Sequence, residues 1–78
     1  MIKELRKLDP AWQAEQIGFG YWCYSHPDKK LRIQSYSHIV NADLDLYESI
    51  WHLLQDNQTL TTGKYSILYF LEKNFDTL

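Results

Sequence analysis

Cys23, His26, His38 and His52 are the side chains best suited to metal ligation or nucleophilic chemistry. Thiolate and imidazole are both zinc ligands, and a structural site holds four of them in tetrahedral array. The Cys23-x-x-His26 spacing is not that of a paired finger knuckle. If one strand runs through both residues, they fall on opposite faces. A small buried thiol and three ordinary surface or turn histidines are therefore expected, with no metal. A Cys23–His38 nucleophilic pair would need a hairpin register that brings both to one face, and an electropositive setting to ionise the thiol. The sequence supplies no recognisable third orienting group or oxyanion hole, so an inert core cysteine is the expectation.

Two shorter patterns carry less. Glu48 and His52 stand four apart, which suits an intrahelical pair. The two-histidine metalloprotease pattern is absent because its first histidine is missing. Thr62-Gly63-Lys64 has the tail of a phosphate loop without its upstream glycine or preceding strand. No cofactor is implied, and the chain is expected not to be an enzyme.

The elements that must position these residues follow from local patterns. Ile2, Leu5 and Leu8 recur at helical spacing. Asp9-Pro10 then looks like a helix start, with Asp capping and Pro at the first position, so Ala11–Ile17 is predicted helical and Gly18 stops it. Residues 19–25 are aromatic and β-prone, His26-Pro27-Asp28-Lys29 suits a type I turn, and residues 31–40 alternate in character. Together they predict a β-hairpin. A four-residue loop would set Trp22 and Tyr24 beside Leu31 and Ile33, whereas a three-residue loop would set Phe19, Tyr21 and Cys23 there.

Asn41 can cap a helix, with Asp43 and Asp45 in its first turn. Leu44, Tyr47, Ile50, Trp51 and Leu54 form a helical stripe, which predicts a helix over 42–55. Tyr65–Leu71 is almost continuously apolar and fits helix or strand. Thr61 or Thr62 as cap, Lys73 in the last turn and Asn74 as stop favour helix over 62–74; a third strand over 64–71 is the alternative.

Seventy-eight residues suffice for a single domain over 1–78, and a hydrophobic content of 45% with 15% aromatics predicts a folded chain. One cysteine cannot form an internal disulfide, which favours a reducing cytoplasmic location. No apolar run reaches the roughly 20 residues of a membrane span. The net charge of −2 divides into +2 over residues 1–32 and −4 over residues 33–78. An acidic C-terminal half opposes binding to phosphates.

The expected fold is α+β: an N-terminal helix, an antiparallel hairpin, and two C-terminal helices packed on one sheet face. The leading functional expectation is a small non-catalytic protein-binding domain, either an accessory or inhibitor protein or a self-associating one. Its surface would be aromatic, formed by Trp22, Tyr24, Tyr36 and His38 with Arg32 at the rim. A nucleic-acid-binding regulator with a helix-turn-helix-like segment over 42–75 comes second. It would draw its cations from Lys3, Arg6, Lys7, Lys29, Lys30 and Arg32. A thiol-dependent enzyme using Cys23 is third.

Overall fold

The computed structural model describes residues 1–18 and 21–78; within its strands, the side chains at 17, 18, 21, 22, 36–39 and 47 lie outside the description. Ile2–Leu8 form helix α1 and Lys64–Asn74 form helix α2. Between them run five strands, β1 (Gln13–Gly18), β2 (Tyr21–His26), β3 (Leu31–Asn41), β4 (Leu46–Gln55) and β5 (Gln58–Thr62). They pair in chain order as one antiparallel sheet. The fold is α+β with two helices and an open five-stranded sheet.

Register defines both faces. Ala14, Tyr24, Ile33, Leu53 and Thr61 form one row across all five strands. One residue along, Glu15, Cys23, Gln34, His52 and Thr62 form the next, on the opposite face. The helices cover the first face. Leu5 of α1 and Ile67 and Leu71 of α2 meet Leu31, Ile33, Leu53 and Trp12, all buried. Each such side chain contributes roughly 1.5–3 kcal/mol by leaving water. A few large residues thus make the core of a thin domain.

Helix α1, the β2–β3 hairpin and helix α2 match the expected elements. The hairpin has the four-residue loop: His26 pairs with Leu31 and Tyr24 with Ile33. Pro27–Lys29 make a tight 3-10 turn, and Lys30 closes it in the left-handed region at φ 56°. Pro presets the first turn position, and the left-handed residue turns the chain back into β3.

Two expected helices are strands instead. Residues 11–17 were expected to be helical, but Gln13–Gly18 form β1. Asp9 does receive the Ala11 N–H on Oδ1 at 2.8 Å, so the capping bond forms, yet it closes only a turn. The predicted helix over 42–55 is the strand β4 preceded by a turn. Here Asn41 Oδ1 accepts the N–H groups of Asp43 at 3.0 Å and Leu44 at 3.3 Å, again a cap without a helix. Asp45 at φ 51° then reverses the chain.

At the other end of β4, Asp56 and Asn57 take φ values of 51° and 67°, and Gln55 pairs with Gln58. Positive φ at both central residues of a two-residue loop is the turn that suits strand twist. The residues just after the predicted 42–55 helix thus form a hairpin turn. Thr61 and Thr62 lie in β5 rather than capping α2; Gly63 takes the cap position without a side-chain bond. The 42–75 segment is strand, strand and helix, so it lacks the consecutive helices of a helix-turn-helix.

Candidate functional site

The sheet separates two of the residues expected to form one surface. Tyr24 lies on the helix-covered face, half-buried, its ring 5.7 Å from that of Trp51. Burial pushes the Tyr24 hydroxyl pKa up, and the Glu4 charge adds to the rise. Arg32 is exposed on the opposite face, paired with Leu54. The backbones of Trp22, Tyr36 and His38 pair with Gln16, Ile50 and Glu48, while their side chains lie outside the described residues.

Cys23 also lies on the face away from the helices, and yet it is only 1% exposed. Its sulfur is 3.8 Å from the Tyr24 carbonyl oxygen. Burial raises the thiol pKa, and the Arg32 guanidinium offsets part of that rise. His38 pairs four residues beyond the Cys23 partner Gln34, about 13 Å along β3. The pairing therefore does not set Cys23 opposite His38. His52 shares the Cys23 row, with Gln34 between them. Among the described residues, no three His, Cys, Asp or Glu side chains converge on a metal-sized space.

His26 is the buried polar residue of the core side. Its ring meets Trp12 at 5.4 Å and Phe75 at 5.3 Å, both edge-on. Asp9 Oδ2 approaches Nε2 to 3.2 Å but off the alignment of a hydrogen bond. Among the described residues, Nδ1 of His26 and Nε1 of Trp12 are buried without hydrogen-bond partners. Lys29 stands over the Phe75 ring at 4.8 Å and donates to the Leu78 carbonyl oxygen at 3.4 Å. Three chain segments are joined at this corner.

No protein-family model, curated protein or solved structure matches the chain.

One group of exposed apolar side chains lies at the end of the β3–β4 ribbon. Beyond Gln34, β3 continues from Ser35 to Asn41 against β4, and the molecule extends 45 Å along its long axis against 23 and 22 Å across. The register shifts between Ile39 and Asn41, leaving Val40 as the extra residue of a bulge. Val40, Leu44 and Leu46 at this tip are 57%, 67% and 49% exposed. A second apolar feature is a shallow cleft between α1 and α2, floored by Leu8 and Leu68 and rimmed by Glu4, Lys7 and Glu72. Tyr65 and Tyr69 are exposed on α2, with Lys73 5.7 Å from the Tyr69 ring.

The tip is hidden in the sequence because Leu44 also fits a helical stripe. Asn41, followed by Asp43 and Asp45, signalled a turn as well as a cap. With a turn there, Leu44 falls at a loop apex.

Proposed function

We propose that this chain is a non-catalytic protein-binding domain that presents the end of its β3–β4 ribbon to a partner. The observation that carries this reading is the exposure of Val40, Leu44 and Leu46 together at the tip. Apolar side chains held in water gain roughly 25 cal/mol for each Å² they later bury. The Asn41 bonds and the left-handed Asp45 fix the turn before contact, so little conformational freedom remains to be lost. Tyr36 and His38, on the same ribbon, would extend the contact, whereas Arg32 lies at the far end of β3 and Trp22 in the neighbouring strand. Tyr24 belongs to the core side.

A photo-crosslinker in place of Leu44 tests the reading in extracts of the source cells. The expected result is one dominant adduct, competed away by unlabelled wild type but not by the L44S/L46S variant. Equal competition by both proteins would remove the tip as the binding surface.

A further inference from the structure

We infer that the partner of the β3–β4 tip is a protein whose apolar surface is rimmed by cations, an inference that rests on the binding role proposed above. Between residues 33 and 63 the chain contains no lysine or arginine, but it carries Asp43, Asp45, Glu48 and Asp56. Asp43 and Asp45 are exposed in the turn that holds Leu44, and Glu48 follows on β4. The nearest cations in sequence before this stretch, Lys29, Lys30 and Arg32, lie at or beside the β2–β3 turn, at the opposite end of β3. Lys30 there approaches Asp56 at 3.7 Å. An 11-residue strand spans about 35 Å, several screening lengths at physiological salt. Asp43 and Asp45 therefore give the apolar tip an acidic flank, with Lys29, Lys30 and Arg32 at the far end of β3 and Lys64 beyond the end of β5.

This charge selects among possible occupants. Tip-to-tip pairing of two copies would bring Asp43 and Asp45 of both together, which costs free energy. Phosphate polymers and anionic lipid surfaces meet the same repulsion. Leu44 and Leu46 need an apolar surface, which a protein supplies, and the flanking carboxylates favour a basic rim. Such a rim speeds encounter and fixes orientation, while the leucines hold the complex.

The test uses two synthetic amphipathic helical peptides, one of leucine and lysine and one of leucine and glutamate, with amide shifts followed by NMR. The expected result is that the lysine peptide shifts amides of residues 40–48 and the glutamate peptide does not. Affinity should fall about tenfold in D43N/D45N and by a similar factor between low and high salt, as screened charge pairs do. Asparagine tolerates the left-handed conformation at position 45, so this variant keeps its turn. Binding lost in L44S/L46S but unchanged by D43N/D45N and salt would overturn the cationic rim while leaving the tip as the contact. Shifts at the tip with neither peptide would overturn this inference; the crosslinking result then judges the binding role separately. A dimer of the protein alone, abolished by L44S/L46S, would replace the inferred partner with a second copy.

Discussion

His26 Nε2 lies 3.2 Å from Asp9 Oδ2, linking the β2–β3 hairpin to the segment that leads from α1 into the sheet. Asp9 also accepts the Ala11 N–H at 2.8 Å. That backbone bond first, and the neighbouring imidazole second, hold the Asp9 carboxyl below its ordinary pKa, with Lys29 adding a smaller pull. A carboxylate with a depressed folded pKa stabilises the fold above its unfolded value, and the effect is lost as pH falls through the folded value. Asp9→Asn keeps an acceptor for Ala11 but removes the charge. The melting temperature of this variant should fall below wild type at neutral pH, and the gap should close below about pH 4. Thermal melts from pH 2 to 7 read this directly, and a gap that persists at pH 2 would show that Asp9 acts by geometry alone.

Leu53 shares a row with Ile33 and is fully buried at the centre of the sheet. Truncation to alanine should cost about 2–5 kcal/mol, since the packed helices cannot close the gap completely. Leu44→Ser at the exposed tip should stay within about 0.5 kcal/mol of wild type. Urea denaturation of both variants sets them side by side. A comparable loss in the two would mean that the tip is structural rather than a free surface.

The Asp56-Asn57 turn offers a test of backbone conformation with little packing involved. Both residues have positive φ, and both are exposed. Asn57→Gly should be neutral or mildly stabilising, because glycine adopts this conformation without a Cβ clash. Asn57→Val should lower stability by about 1–2 kcal/mol through that clash. The expected signature is a shifted urea midpoint with unchanged slope.

Much of the local chemistry was legible in the sequence, and its outcome less so. Asp9 and Asn41 both make the side-chain bonds of helix caps, but each bond satisfies a turn before a strand. A cap specifies one turn of backbone; whether the next residues continue it depends on where their side chains can be buried. In β4, Trp51 and Leu53 serve the helix-covered face while Ile50 and Leu54 are half-buried on the other. Apolar residues at both parities imitate the stripe of a helix, which is why periodicity favoured 42–55 as helical. Helix α2 faced the same ambiguity, but Gly63 starts it and Asn74 Nδ2 donates to the Phe70 carbonyl oxygen at 2.9 Å near its end. The hairpin register was open in the sequence because aromatics occupy both faces of strand two. The expected binding set divides because Tyr24 pairs with Ile33, one residue from Arg32, which puts Tyr24 and Arg32 on opposite faces.

Cys23 makes the last prediction, because its burial comes from the sheet face that no helix covers. It is 1% exposed, and its raised pKa arises from burial, with the Arg32 charge opposing and the Glu15 charge assisting. At pH 8 the native thiol should react with iodoacetamide on the order of ten times more slowly than the urea-unfolded chain, since both access and thiolate fraction are reduced. A thiol whose folded pKa is raised contributes no penalty below its unfolded value. Stability is then lost as pH rises from about 8.5 through the folded value, because the unfolded state releases its proton first. Cys23→Ala removes this alkaline loss, so the gap between wild-type and variant melting temperatures should be constant below that pH and change only above it. Mass spectrometry of labelled protein gives the rate. Labelling as fast in the native as in the unfolded chain would mean that Glu15 and Arg32 do not shield the sulfur, and that this face of the sheet is open to small electrophiles.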